Sequence, residues 1–412
     1  MTDVEIRPIS PDDDFDAQLD LGQRAFGSYS AQQKESWLHV ARLRASEGMF
    51  LGAFAEGVPA GAAMLHDMRQ YWLGSPVRCA GVASVKVAPE HRGMGIGRLL
   101  MTELLGLIAD RGYPLSTLFP ATVPIYRSLG WELAGAKHEF TVPARSLREL
   151  QPPDPQAAAK PTAELTKAPR ITRATPDDAK RVINAIGRSH RAARDAGPIT
   201  WDEGPSRQWL DRPDLYAYLA EGPEQADGFA AYRWAGGDTR ELWVERVHAT
   251  TPQALRALWS VIASNASVTR TVRGWAAPGA PFWWLTAERD ATISRRAMWM
   301  LRVVDVPAAI AARGFPPGVS VSVPLEINDK ARPGNAGRWL LTVDSGKGAL
   351  IPNGSLSSPD PVTLGPRGVA ALYAGVSAES LRLSGLASGG TPETGALLDA
   401  AFAAIPFMVD DF

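Results

Sequence analysis

The residues best placed to do chemistry lie in Val85-Lys86-Val87-Ala88-Pro89-Glu90-His91-Arg92-Gly93-Met94-Gly95-Ile96-Gly97-Arg98. An alternating apolar strand ends at Val87, and an apolar helix follows over 99–108. Between them stands Arg92-x-x-Gly95-x-Gly97. Glycine clears side chains from successive backbone N–H groups, and a helix N-terminus adds the positive end of its dipole. Arg92, Gly93, Met94, Gly95, Ile96, Gly97 and Arg98 therefore form a nest suited to a pyrophosphate. Two rival motifs fail on spacing: the run misses Gly-x-Gly-x-x-Gly, and no Gly-Lys-Ser/Thr is present. A glycine-rich turn that only reverses the chain is the bland alternative, and the strand–loop–helix order weighs against it.

A second reactive candidate is Tyr126, in Ile125-Tyr126-Arg127-Ser128-Leu129-Gly130-Trp131-Glu132. A phenol with a reference pKa of about 10 stays protonated at neutral pH and can donate to a leaving thiolate. Its plainer role is an aromatic filling a helix–strand junction. Cys79, the single cysteine, has no histidine near it in sequence and reads as a small buried residue. One cysteine excludes an internal disulfide and fits a reducing cytoplasm. The six histidines are scattered without metal-ligand spacing, so no metal is expected.

These groups need a scaffold, and the chain repeats one. Glu5-Ile6-Arg7-Pro8-Ile9-Ser10-Pro11-Asp12-Asp13 recurs as Arg170-Ile171-Thr172-Arg173-Ala174-Thr175-Pro176-Asp177-Asp178. Each copy reads as a short strand meeting a helix N-cap, with proline in the first turn and acids facing the dipole. Amphipathic helices follow over 15–26 and 179–191. A Pro/Ala-rich stretch over 151–169 reads as a linker between a unit at 1–150 and a unit at 170–300. The second unit continues with strands at 215–220, 228–234 and 241–249 and a helix from Thr251-Pro252. Where the first has its glycine nest, the second has His248-Ala249-Thr250-Thr251-Pro252-Gln253, without glycine and with a proline that lacks an N–H. It should keep the fold and lose the phosphate site.

Over 301–412 the texture changes. Strands are expected at 319–327, 337–343 and 347–351, helices at 308–312, 366–373 and 391–404, and a short strand at 379–386. The whole chain is thus of the α+β (mixed α/β) class. Its 412 residues are too many for one core, and a net charge of −1 gives no case for nucleic acid. No run of about 18 apolar residues exists to span a membrane. The acidic start leads straight into a strand, unlike a secretory signal, so a cytoplasmic location is expected.

Together these features resemble the Eis (enhanced intracellular survival) family of GNAT N-acetyltransferases: a GNAT unit, a degenerate GNAT unit and a sterol-carrier-protein-like domain. The anchors are the loop at Arg92–Gly97, the segment around Tyr126 and the ending Phe407-Met408-Val409-Asp410-Asp411-Phe412. The resemblance implies acetyl-CoA as cosubstrate, acetyl transfer to small cationic amines with aminoglycosides among them, and a homohexamer. It implies that Val85 and Val87 pair with the pantetheine arm through their backbones, with the Val87 N–H as oxyanion donor. Tyr126 becomes the general acid, and the α-carboxylate of Phe412 the base. Aromatic walls and carboxylates suit a cationic amine, which nominates Phe26, Trp37, Asp410 and Asp411 for the acceptor pocket. The chain departs from family members with an acidic residue in the first helix–loop region: its run Gly22-Gln23-Arg24-Ala25-Phe26-Gly27-Ser28 carries the basic Arg24, which argues against efficient aminoglycoside binding. Two other readings compete: a lysine or protein N-terminal acetyltransferase, and a lipid- or acyl-binding protein whose terminal strands enclose an apolar cavity. Trp339, Leu341 and Val343 alternate as such a cavity requires, and equally as a solid core requires.

Overall fold

The structure is a computed structural model that describes residues 4–150, 168–235, 240–352 and 360–412. The expected linker at 151–169 lies almost wholly outside these residues. The first unit contributes strands β1 (Val4–Pro8), β2 (Phe50–Ala55), β3 (Val58–Trp72), β4 (Ser75–Val87), β5 (Leu115–Leu118) and β6 (Glu132–Pro143). Its helices are α1 (Phe15–Phe26), α2 (Ala31–Ser46), α3 (Ile96–Asp110) and the short α4 (Pro124–Arg127). The second unit contributes β7 (Ile171–Arg173), β8 (Ile199–Thr200), β9 (Leu215–Glu221), β10 (Ala226–Ala235), β11 (Glu241–Ala249), β12 (Thr271–Ala276) and β13 (Thr292–Val303). Its helices are α5 (Ala179–Ala193), α6 (Glu203–Leu210) and α7 (Pro252–Ala263).

All these strands join one sheet in the order β1-β2-β3-β4-β5-β13-β6-β12-β11-β10-β9-β7, with β8 on β3. The centre is an exchange. β13, late in the second unit, inserts antiparallel between β5 and β6, while β6 of the first unit pairs with β12 of the second. Neither unit closes its sheet without the other. β13 also runs through Val303, past the 300/301 boundary suggested by the sequence.

The two copies of the cap motif diverge. In the second, Thr175 and Asp178 form a capping box leading into α5. In the first, Asp13 is tied to Arg7 by a two-pronged contact (2.7 and 2.8 Å), and the N-cap of α1 is Asp14, whose carboxylate accepts from the N–H groups of Asp16 and Ala17. The cap therefore falls later than the motif suggests.

The third domain packs α8 (Val306–Ala312), α9 (Pro366–Tyr373), α10 (Ala378–Leu383) and α11 (Pro392–Phe402) against a five-stranded sheet. That sheet has β14 (Val321–Ile327), β15 (Gly337–Asp344), β16 (Lys347–Pro352), β17 (Val362–Leu364) and β18 (Ala387–Ser388), in the order β16-β15-β14-β17-β18. The short strand expected at 379–386 is instead the helix α10, capped by Ser377. Leu381 is buried while Leu383 is 82 % exposed, which a strand's two-residue period does not allow and a helix requires. Leu341 and Val343 are fully buried in a core shared with α9 and α11, and Trp339 spends its indole N–H on the Asn335 carbonyl.

That core crosses all three domains. Trp72 of β3 packs against Trp299 of β13 and Tyr373 of α9. Arg313, fully buried, lies over Trp72, Tyr373 and Phe402 and donates to the carbonyls of Tyr373 and Phe402. Arg302 on β13 forms a buried ion pair with Asp329 at 2.6 Å and donates to the Leu129 carbonyl, tying the third domain to the segment that carries Tyr126.

Candidate active site

The glycine loop leads from β4 into α3, in the strand–loop–helix order read from the sequence. Gly93 and Gly95 adopt φ of +80° and +85°, a region open to glycine, and a Cβ on either would meet open space. Gly95 caps α3 without any side-chain bond. Among the described residues, the N–H groups of Gly93 to Gly97 meet no backbone acceptor outside the helix ladder. A pyrophosphate would complete them, with Arg92 exposed beside the loop. Arg24 bridges Asp20 (2.8 Å) and Glu90 (2.6 Å), tying α1 to the turn before the nest.

Upstream, β4 and β5 run parallel but pair only from Cys79 to Gly81 and from Leu115 to Thr117. Beyond Gly81 they splay, and Val82–Val87 keeps only its β3 neighbour. A bulge interrupts this edge, with Ser84 at φ +51° and the register slipping between Ala62 and Met64. The Ala88 N–H bonds the Ala60 carbonyl at 2.8 Å. In an alternating antiparallel ladder, Val87 then directs its N–H and C=O away from β3, into the splay. Arg92 Nε meets the Val87 carbonyl there at 3.4 Å. The side chains of Val85 and Val87 pack beside α3 as ordinary core contacts.

Tyr126 lies on α4, buried among Ala80, Val82, Leu100 and Leu104. Neighbouring Ile125 approaches Gly97, which sets α4 against the first turn of α3. Burial alone pushes the phenol up to about 12, so it stays protonated at neutral pH. The Trp131-Glu132 end of its motif is an anchor: Glu132 holds Arg127 (2.7 Å) and Arg367 of α9 (2.6 Å). Burial raises the Glu132 carboxyl, but these arginines and the Leu133 N–H outweigh it and hold it below the usual range.

The final segment returns to the apex of the splay. Ala136 N–H bonds the Pro406 carbonyl and Phe407 N–H bonds the Ala196 carbonyl, laying the tail across both the first and second units. The Phe412 ring comes to rest over Gly81, the last residue of β4 paired to β5; a Cβ there would lie 2.9 Å from the ring. Phe119, His66 and Trp201 surround it at ring separations of 5.9, 6.3 and 6.3 Å. Burial lowers His66 to about 4, so it stands neutral beside Phe412.

A cavity of about 550 Å³ opens next to this cluster, between α2, α6 and the tail. Trp201, Trp209, Trp243 and Trp275 line it together with Arg44, Arg233, Arg246, Glu245, Asp410 and Asp411. Its carboxylates are matched by the chain's own cations. Asp410 pairs with Arg246, Asp411 with Lys137 at 2.5 Å, and Glu245 with Arg233 at 2.7 Å. Several aromatic faces are likewise covered: Arg246 lies over Trp209 and Lys137 over Trp275.

Of the nominated acceptor residues, Asp410 and Asp411 thus line the cavity but are neutralised. Phe26 (53 % exposed) and Trp37 do not line it. Trp37 packs on Phe50, and the cation over its ring is the protein's own Lys86, at 4.5 Å. Sequence reasoning missed α2 and the four cavity tryptophans. The Ser30–Gln33 capping box marks the start of α2, and 13 tryptophans in the chain hint at an aromatic site. Among the described residues no group of three or more His, Cys, Asp or Glu side chains is placed to hold a metal, and no helix is long and apolar enough to cross a membrane.

A glycine nest at the end of a splayed parallel strand pair, repeated in degenerate form, defines a tandem GNAT acetyltransferase with an appended domain. Residues 5–134 and 194–303 match acetyltransferase (GNAT) domain models, and residues 306–409 match a sterol carrier protein domain. The chain is 30 % identical over 305 residues to N-acetyltransferase Eis of Mycobacterium tuberculosis, covering 71 % of this chain and 70 % of that protein. It belongs to the Eis family of N-acetyltransferases. A solved GCN5-related N-acetyltransferase from Kribbella flavida superposes with a TM-score of 0.89 at 38 % identity, over 100 % of this chain and 98 % of that one. Eis1 from Mycobacterium abscessus shares the fold, with a TM-score of 0.74 at 23 % identity over 99 % and 100 % of the two chains. The protein is an acetyltransferase, and its GNAT fold implies acetyl-CoA as donor.

Proposed function

We propose that the protein transfers acetyl from acetyl-CoA to the primary amine of a small molecule with an aromatic or apolar body. The acceptor sits in the tryptophan-lined cavity and attacks at the apex of the splay. The Arg92–Arg98 nest holds the pyrophosphate, and the backbone edge of Val85 and Val87 holds the pantetheine arm. The outward N–H of Val87 stabilises the developing oxyanion. Tyr126 presents its proton to the leaving sulfur, and the Phe412 α-carboxylate takes the proton released by the attacking amine. Assembly as a homohexamer belongs to the same reading and is checked by light scattering.

The observation that carries the acceptor class is the charge matching of the cavity. A polycation such as an aminoglycoside gains most from free carboxylates, and Glu245, Asp410 and Asp411 are already paired. With these charges paired among themselves a polycation finds little compensation for its desolvation, while a single amine on an aromatic or apolar body loses less by it. The bounded cavity also suits a small molecule better than a protein chain. The test is the initial rate of CoA release with phenethylamine, spermidine, kanamycin and a lysine-rich peptide. Release is expected to be fastest with phenethylamine; faster release with kanamycin or the peptide overturns the acceptor class.

A further inference from the structure

The second GNAT unit keeps a cleft that the acetyl-transfer site does not use. β11 pairs with β12 only from Glu241 to Val244, then the two splay as β4 and β5 do. A bulge sits at the corresponding place, the register slipping between Ala231 and Tyr232. The Thr250 N–H bonds the Asp227 carbonyl at 2.8 Å, just as Ala88 bonds Ala60 in the first unit. By the same ladder alternation, Val247 and Ala249 turn their N–H and C=O groups away from β10 and toward the splay, where the Ala249 carbonyl accepts from the Ser189 hydroxyl at 3.3 Å and the Val247 groups remain for a ligand. A cavity of about 460 Å³ lies there, walled by Val247, Ala249, Leu255, Trp259 and Phe282 and by Ile405 of the tail.

What this cleft lacks is as informative as what it keeps. Thr251 spends its hydroxyl capping the Ala254 N–H and Pro252 has no N–H, so the start of α7 offers no nest. Pro281-Phe282-Trp283 stands where the first unit has Pro124-Ile125-Tyr126, and the Trp283 N–H is committed to the Ala277 carbonyl. The charged groups on the wall are engaged: Asp195 by His190, Arg246 by Asp410, Glu245 by Arg233, and Arg194 by the Phe315 carbonyl. The cleft has a strand edge for amides, apolar walls, and no spare charge.

We propose that this second cleft binds an uncharged, extended, amide-bearing chain of the pantetheine class, without its nucleotide. The amides of such a chain would continue the β11 edge while its methyl and methylene groups meet Leu255, Trp259 and Phe282.

The experiment is calorimetric titration of pantetheine into the full-length protein already saturated with CoA, which fills the first cleft. CoA binding is measured beforehand, so a failure of the acetyl-CoA site is seen separately from a failure of this proposal. A further saturable event at one pantetheine per chain is expected. Gly279→Trp and Leu255→Trp, two substitutions at this cavity, should each weaken it at least tenfold and leave CoA affinity unchanged. Gly279 tolerates the change because a Cβ there meets open space. No pantetheine event on the CoA-saturated protein overturns the proposal. So does an event that survives both substitutions, or one matched by decanoate, which has the apolar chain without the amides.

Discussion

Tyr126 carries a hydroxyl that burial keeps protonated far above neutral pH, so in the proposed reaction its part is the proton it presents. Tyr126→Phe keeps the ring in its apolar seat among Val82, Leu100 and Leu104 and removes only that proton. Turnover should fall about a hundredfold with the acetyl-CoA dissociation constant nearly unchanged, read from CoA-release kinetics and calorimetry. An equal loss of affinity would make the residue a binding group. Lys86 makes a different kind of prediction. Its ammonium is buried, donates to the Gln18 carbonyl at 2.9 Å, and is lowered by desolvation to about 7. Between pH 7 and its ordinary value of 10.5, the unfolded chain binds a proton that the folded chain does not. Stability therefore rises with pH across that window, and the cost of the buried charge is fullest below it. Lys86→Met should melt higher relative to the parent at pH 6 than at pH 10; a difference that does not change with pH would show that the folded chain leaves Lys86 titrating at its ordinary value.

At the scale of elements, the short α4 depends on its surroundings, since a four-residue helix has almost no stability of its own. Glu132 supplies the anchor through Arg127 and Arg367. Glu132→Gln should cost about 1–2 kcal/mol, a figure reduced because both arginines are partly exposed to solvent. The carboxyl is held below its ordinary range, so this contribution is present at neutral pH and lost as pH falls through the folded value. Thermal melts at pH 7 and pH 3 should show the two proteins converging at the lower pH. Turnover should drop with the stability, because Tyr126 rides on the same helix. The sequence carries Tyr126 and Glu132 within one readable motif. It does not carry Arg367, which lies 235 positions away and arrives only when α9 docks.

At the scale of the whole molecule, the tail carries the third domain to the junction of the first two, and the proposed reaction draws on all three. Ala136 and Ala196 fix its path, and Gly135 lets it pass: a Cβ there would come 2.4 Å from the Pro406 carbonyl oxygen. Adding two glycines after Phe412 should lower turnover at least tenfold while leaving acetyl-CoA affinity intact, since the nest lies on α3 and not on the tail. Unchanged turnover would remove the Phe412 carboxylate from the reaction. Gly135→Ala should give the same split between turnover and affinity by displacing the tail from within.

The glycine turn, the order of the elements around it and the absence of its counterpart in the second unit were all legible in the residues themselves. Each depends on local rules: glycine's access to positive φ, proline's missing N–H, and the period of apolar side chains. The exchange of β6 and β13 was not legible, because a strand's pattern says which face is buried and not which neighbour pairs with its edge. The same limit hid the tryptophan-lined cavity. Asp410 and Asp411 read as free carboxylates until the fold brought Arg246 and Lys137 against them, from 164 and 274 positions away. Local chemistry was written in the sequence; the charge balance of the pocket was decided by long-range packing, because ion pairs form by proximity in space and leave no mark in spacing.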